Sequence, residues 1–407
     1  MKHLSSLKLV LLSVLAVFVV SGGGLATVAA WQDTLTVGDA TVTSGDGWGK
    51  PLNLVRFTQI ATGGSYTVAI DENGGTWAWG NNQAGQLGDG TTNNSSVPIQ
   101  VAGGHKFTQV SAGGSHTVAI DTNGDAWAWG NNRSGQLGDG TLNGSSIPIK
   151  VAGGHQFKQI STGDDCTIAL DTDGDTWVWG DNSDGQLGDG TNIGKNAPVK
   201  VEYGRKFVQI SAVRAYMVAL DENGDAWAWG YNNSGQLGDG TTKNRNTPVQ
   251  VSGGHKFTQI AAGYNHTVAI DANGGTWAWG WNQYGQLGDR TTTNSPTPVE
   301  VKGGHKFAQI GVGYSHTVAI DANGGTWAWG RNDLGQLGDG TATDRNIPVK
   351  VSGGHKFAPI SVGAQHTVAL DTNGYAWAWG WNDRGRLGDG TTTDRHTPIK
   401  VRALVEP

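Results

Sequence analysis

The sequence predicts an all-β fold: a seven-bladed β-propeller of seven 50-residue repeats, with four strands per blade. Three observations carry that prediction. The pattern Trp-x-Trp-Gly that begins at Trp77 returns at Trp127, Trp177, Trp227, Trp277, Trp327 and Trp377, always 50 residues on. Each repeat holds four short runs with strand-like alternation, separated by turns rich in Gly, Asn and Asp. No run has a helical period, and four strands per unit repeated around an axis is the propeller arrangement. An open solenoid is the weaker alternative, because a closed ring protects the sheet edges that a linear stack exposes.

Residues 105–154 serve as the example. His105-Lys106-Phe107-Thr108-Gln109-Val110 alternates and reads as the first strand. Ala112 to Ser115 turns the chain, and His116-Thr117-Val118-Ala119-Ile120 is the second strand. Asp121-Thr122-Asn123-Gly124 follows, and an Asn-Gly pair between alternating runs is a strong hairpin signal. Ala126-Trp127-Ala128-Trp129 is the third strand, with both indoles on one face and both alanines on the other. This asymmetry lets neighbouring blades nest, so all fourteen paired tryptophans are expected in the core. Gly130 to Asn143 is a long Gly-rich loop. Ile147-Pro148-Ile149-Lys150-Val151 is the fourth strand, and its proline suits an edge position.

The N-terminus reads differently. Met1 to Lys8 carries two lysines, Leu9 to Val20 is apolar apart from Ser13, and Ser21 to Ala30 is small and ends Val28-Ala29-Ala30. That is the layout of a secretory signal peptide over residues 1–30, cleaved after Ala30. A retained anchor is the competing reading, but the apolar run falls short of the roughly 20 residues of a spanning helix. An exported chain with no membrane span after cleavage is expected. Residues 31–54 form a degenerate half-repeat or a linker, since Val37-Gly38-Asp39-Ala40-Thr41 lies 50 residues before Leu87-Gly88-Asp89-Gly90-Thr91. The propeller proper takes residues 55–407.

Formal net charge is −6, and loss of residues 1–30, with Lys2 and Lys8 and no acid, makes it −8. An acidic chain without a basic run is poorly suited to a polyanion, so no nucleic-acid partner is expected. The single cysteine, Cys166, excludes an internal disulfide and occupies the repeat position of His116 and His266, which marks it as a small buried hydrophobe.

The run Trp-x-Trp-Gly-x-Asn-x-x-Gly-Gln-Leu-Gly, here Trp277 to Gly288, followed by Pro298 and by Gly313 to Ile320, resembles the repeat of the regulator of chromosome condensation family. The resemblance covers residues 55–401 and implies a seven-bladed propeller that binds proteins through one face. Kelch repeats lack the Gly-Gln-Leu-Gly loop. The family's founding activity, guanine nucleotide exchange on a small GTPase, fits poorly with an export signal, an acidic surface and the lack of an inserted wedge between blades. A secreted bacterial relative that inhibits β-lactamases also presents aromatic loops on one face, so an inhibitor of a secreted enzyme is an alternative reading.

Comparison of the repeats with one another locates the candidate surface. Strands running up, down, up, down place the first-to-second and third-to-fourth loops on one face. The position after Trp-x-Trp-Gly reads Asn81, Asn131, Asp181, Tyr231, Trp281, Arg331, Trp381, with Tyr264, Tyr284, Tyr314, Arg214 and Arg384 nearby. Repeats 4–7 thus gather Tyr, Trp and Arg, the residue types of interface hot spots and of stacking on sugar rings. The candidate partner-binding residues are Tyr231, Tyr264, Trp281, Tyr284, Tyr314, Arg331, Trp381 and Arg384, and the partner is a protein or a glycan. The alternative is that these rings pack down on a neighbouring loop.

Other motifs point to structure. His105, His155, His255, His305 and His355 recur in a Gly-Gly-His turn, where equivalent positions of separate blades lie too far apart to share a zinc ion. A turn-stabilising or solvent-exposed role is expected for them. His116, His266, His316 and His366 alternate with Tyr66, Cys166 and Tyr216, a tolerance that suits packing. Asp171-Thr172-Asp173-Gly174-Asp175 lacks the spacing of a calcium loop, and Leu87-Gly88-Asp89-Gly90 lacks the helix and Lys of a phosphate loop. No nucleophile, base and orienter set emerges. The expectation is a monomeric, non-enzymatic binding module without cofactor or metal, with catalysis in a central cavity as the remote alternative.

Overall fold

The computed structural model describes residues 34–37, 40–43 and 53–405. The expected signal peptide lies outside the described residues. Thr34–Val37 and Ala40–Thr43 pair antiparallel as a hairpin, with Thr34 opposite Thr43, in a unit separate from Leu54–Val405.

Leu54–Val405 contains seven four-stranded antiparallel sheets. In blade 1 strand A is Phe57–Thr62, strand B Tyr66–Asp71, strand C Thr76–Gly80 and strand D Ser95–Gln100. The same four recur every 50 residues to blade 7, with Phe357–Val362, His366–Asp371, Ala376–Gly380 and Arg395–Lys400. Strand order in every sheet is A-B-C-D, so each blade comes from one uninterrupted stretch. Strands A of successive blades touch all the way round, blade 7 to blade 1 included, so the ring is closed and strands A line its axis. Strand D is the outer edge and carries Pro98 and its six counterparts, where a missing backbone donor leaves no ladder bond unmade.

The core lies between blades. In the first seam, Val68, Ile70, Ala78 and Leu87 of blade 1 meet Phe107, Val110 and Trp129 of blade 2. Trp129 is fully buried, and its Nε1 donates to the Gln86 carbonyl at 2.9 Å. Gly88 adopts φ 72° against that indole, and a Cβ there would lie 2.6 Å from Trp129 Nε1. The Gly-Gln-Leu-Gly loop of one blade is therefore the socket for the second tryptophan of the next.

The first tryptophan of each pair behaves differently from the expectation of a uniform core. It is only half-buried in blades 2–7, because strand C turns it toward the face opposite the long loops. Trp127 donates from Nε1 to Asp121 Oδ2 at 3.0 Å. His105 lies over its ring at 4.1 Å between centroids, and His155, His255, His305 and His355 repeat the contact on Trp177, Trp277, Trp327 and Trp377. In blade 4 the Arg205 guanidinium takes that place, 3.3 Å from the Trp227 centroid, and in blade 1 Val55 packs into the Trp77 cluster. The Gly-Gly-His turn thus covers an indole, a role beyond turn-stabilisation or plain exposure.

Histidines at the start of strand B form a second, fully buried set. His116, His266 and His316 each place Nε2 3.1–3.3 Å from the hydroxyl of the next blade's threonine, Thr167, Thr317 and Thr367. His366 closes the ring onto Thr67 at 3.3 Å. Tyr66 and Tyr216 make the same bridge to Thr117 and Thr267. Burial pushes the imidazoles of His116, His266 and His316 down to about 4, about 3 and about 3. Neutral, packed imidazoles agree with the sequence reading of this position.

Candidate partner-binding face

The long loop between strands C and D is built around one buried asparagine. In blade 1 the Asn82 amide donates to Asp89 Oδ1 at 2.9 Å and accepts the Leu87 N–H at 2.9 Å. Asn132, Asn182, Asn232, Asn282, Asn332 and Asn382 are equally buried. The residue before each asparagine is held too. Asn81, Tyr231, Trp281, Arg331 and Trp381 donate their N–H to the A–B loop of their own blade, as Trp281 does to Asn265 O at 2.8 Å. The two variable loops therefore sit side by side on one face, as the alternating strand directions require.

Three clusters occupy that face in blades 4–7. The first is at the axis. Tyr264 and Tyr314 stack with centroids 4.1 Å apart, and the Arg214 guanidinium lies 4.2 Å from the Tyr264 ring and 4.7 Å from Tyr231. Arg214 holds a left-handed φ of 47°, unusual for a side-chain-bearing residue, and donates to Asn265 Oδ1 at 2.9 Å. Across the mouth, Tyr314 donates to Asp164 Oδ1 at 3.3 Å, joining blade 6 to blade 3.

The second cluster is Trp281, set edge-on to Tyr284 at 5.4 Å, with Arg331 5.2 Å over the Tyr284 ring and paired with Asp333 at 2.6 Å. The third lies at the seam of blades 7 and 1. Trp381 rests on the Arg386 guanidinium at 3.9 Å, while Arg384 reaches Asn81 Oδ1 at 3.0 Å and Gln83 Oε1 at 2.7 Å.

The predicted residues are all half-buried. They share a face but form separate clusters: Tyr231, Tyr264 and Tyr314 at the axis, Trp281, Tyr284 and Arg331 further out, Trp381 and Arg384 at the closing seam. Packing onto neighbouring loops is real for Arg384, which crosses to blade 1, and for Tyr264 and Tyr314, which lean on each other.

Two residues escaped the sequence reading. Asp164 completes the axial cluster, and burial, then the charge of Asp165, push its carboxyl up to about 6 against the opposing pull of Tyr314 and Arg214. Burial and then Asp181 likewise raise Asp165 and Asp184, so blade 3 presents an acidic sector beside the aromatic one. Arg386 replaces the glutamine of the Gly-Gln-Leu-Gly loop, is fully buried, and pairs with Asp383. Its only sequence signal is that single departure from the repeat. Among the described residues no group of three or more His, Cys, Asp or Glu is placed to hold a metal ion.

Comparisons with known proteins agree with this architecture. Two Arabidopsis thaliana proteins match over about one repeat: the ultraviolet-B receptor UVR8, 44% identical over 52 residues, and the mitochondrial RCC1 domain-containing protein RUG3, 42% identical over 50. Those segments are 13% and 12% of this chain and only 12% and 11% of the relatives' own lengths. Human WBSCR16 superposes with a TM-score of 0.71 at 23% identity, covering 82% of this chain and 89% of that one. Yeast RCC1 (Prp20), solved bound to Kap60, superposes at 0.73 with 23% identity and coverage of 90% and 91%. At such identity the likeness is one of fold. Residues 57–86 and 73–120 match the regulator of chromosome condensation (RCC1) repeat, and residues 102–406 match the RCC1-like domain. The chain belongs to the RCC1-like domain family.

Proposed function

We propose that the chain is an exported, non-catalytic recognition module that holds a protein or glycan partner on the loop face of blades 4–7. One observation carries the reading. At the position between the invariant Gly and the buried Asn of each long loop, blades 1–3 carry Asn81, Asn131 and Asp181, while blades 4–7 carry Tyr231, Trp281, Arg331 and Trp381. The buried asparagine beside that position is the same in every blade, and the loop glutamine is replaced only in blade 7, so packing of the loop does not call for the change in blades 4–6. Aromatic and arginine side chains already braced on one another lose little further freedom when a partner arrives, which suits them as hot spots. RCC1-type propellers are typically binding or regulatory proteins. Export rests on the layout of Met1 to Ala30.

The test is affinity capture from culture supernatant and cell envelope with the mature protein and a W281A/W381A variant side by side. A protein or glycan retained by the first and lost by the second supports the reading, and a captured hydrolase such as a β-lactamase makes the chain an inhibitor. Equal capture by both removes the aromatic strip from consideration.

A further inference from the structure

The Asn-Gly pair occurs seven times in the chain. Six copies, from Asn73-Gly74 to Asn373-Gly374, sit in the hairpins between strands B and C, and one, Asn143-Gly144, ends the long loop of blade 2. The pair is chemically as well as conformationally special. A glycine has no Cβ to hinder its main-chain nitrogen from reaching the preceding side-chain amide, and asparagine is one of the thermolabile residues.

The six hairpin copies are restrained. Each glycine N–H donates to the aspartate carbonyl three residues back at 2.9–3.1 Å, as Gly124 does to Asp121. Each asparagine N–H is held by the same aspartate through its Oδ1 at 2.8–2.9 Å. The nitrogen that would attack is therefore engaged in all six turns.

Asn143-Gly144 is different, and the reason lies in one glycine. At the Gly144 position blades 1, 4 and 5 carry Asn94, Asn244 and Asn294, whose Oδ1 accepts the N–H of the buried loop asparagine at 2.8–2.9 Å. Blades 6 and 7 make the same tie with Asp344 and Asp394 at 2.7 Å. Gly144 has no side chain to make it. Blade 3 also carries a glycine there, Gly194, but Ile193 precedes it. Blade 2 alone joins an untied loop end to an asparagine. Both Asn143 and Gly144 are exposed, and neither the Gly144 N–H nor the Asn143 side-chain amide has a hydrogen-bond partner among the described residues.

We infer that Asn143 is a site of spontaneous modification, converting to aspartate and isoaspartate through a cyclic imide formed with Gly144. The Gly144 main-chain nitrogen gives up its proton and bonds to Asn143 Cγ. The bond from Cγ to the side-chain nitrogen breaks, and that nitrogen leaves as ammonia with the proton. Water then opens the imide at either carbonyl, so nothing is oxidised or reduced and water is the one co-reactant. The product has structural consequences. The Asn143 carbonyl accepts from the buried Asn132 Nδ2 at 3.0 Å, and an isoaspartyl link adds a methylene to the main chain beside that bond. Either product also places a carboxylate on the wall of a groove between the long loops of blades 1 and 2, which Asn143 shares with Arg133 and which carries no carboxylate among the described residues.

The experiment is incubation of the purified, folded protein in mildly alkaline buffer, with peptide mapping by mass spectrometry of all seven pairs over time. Asn143 should convert at least about fivefold faster than any hairpin copy, because each hairpin nitrogen must first leave its hydrogen bond. In guanidinium chloride, where every copy is freed, that advantage should vanish. Ion-exchange chromatography of the folded protein should show an acidic charge variant growing with the same time course. Asn143→Gln, whose longer side chain disfavours the small imide ring, should abolish that variant and leave the thermal melt unchanged. Hairpin copies converting as fast as Asn143 in the folded protein overturn the inference. So does an Asn143 that stays intact in the folded protein while the denatured chain converts it, or an acidic variant that persists in Asn143→Gln.

Discussion

Cys166 and Met217 lie in one buried cluster at the seam of blades 3 and 4, in the two positions that the other six seams fill with a His or Tyr and the threonine it reaches. The seam has exchanged a hydrogen bond for an apolar contact on both sides at once.

That exchange predicts strong coupling. Cys166→His alone buries an imidazole opposite a thioether and should cost about 2 kcal/mol or more. The double change with Met217→Thr should recover at least about 1 kcal/mol. Urea unfolding of the two single variants and the double variant gives the coupling directly. Additive costs would show that the two positions do not communicate.

The two tryptophans of one pair should differ in what they contribute. Trp279→Ala empties a fully buried socket and should cost about 3–5 kcal/mol. Trp277 is half-buried under His255 and bonded to Asp271, so Trp277→Ala should cost about 1–2 kcal/mol. Melting temperatures of the two variants, compared at equal protein concentration, decide the matter.

Acid should open the ring. His116, His266, His316 and His366 titrate far below 6.5 in the fold because burial disfavours their charge. The unfolded chain therefore binds more protons than the fold as pH falls below about 6.5, and each imidazole removes about 1.4 kcal/mol of stability per pH unit in that window. Asp164, raised to about 6, and Asp165 and Asp184, also raised, work in the opposite sense, since their contributions are lost as pH rises. The four fully buried imidazoles outweigh them, so the urea midpoint should fall from about pH 6.5 to about pH 4.5. Replacing His266 by Tyr, the residue that Tyr66 and Tyr216 already supply, should flatten that fall.

The closing seam holds a buried guanidinium that the others lack. Trp79 Nε1, next to it, has no hydrogen-bond partner, where the six other sockets each accept their indole. Arg386→Gln restores the sister arrangement and should be neutral or stabilising. Asp383→Ala, which strands the charge, should cost about 2 kcal/mol. Paired thermal melts distinguish the two, and a large loss with Arg386→Gln would assign the guanidinium a structural role at the seam.

Much of this fold was legible because it is written in spacing. The 50-residue return of Trp-x-Trp-Gly, the Asn-Gly hairpins and the proline of strand D follow from local chemistry that a single repeat contains. What alternation does not say is which ring stays covered. Trp127 is half-buried and Trp129 fully buried on the same strand face, and His105, which covers the first, lies 22 residues earlier in sequence. Asp164 joins the axial cluster through Tyr314, 150 residues away, a meeting that only ring closure brings about. The eight predicted residues were placed on the correct shared face by strand direction alone, while their division into three clusters depends on which neighbour each side chain happens to reach.

Each blade is drawn from one uninterrupted stretch, and the Val55 N–H meets the Ala403 carbonyl at 3.0 Å where the ring returns on itself. Covalent continuity is therefore not what joins blade 7 to blade 1. The point at which the chain starts is separable from the order of the blades around the circle. A chain cut at the exposed Gly204 turn and rejoined by a short linker between residues 55 and 403 would begin with blade 4 and end with blade 3, yet assemble the same circle with every seam intact.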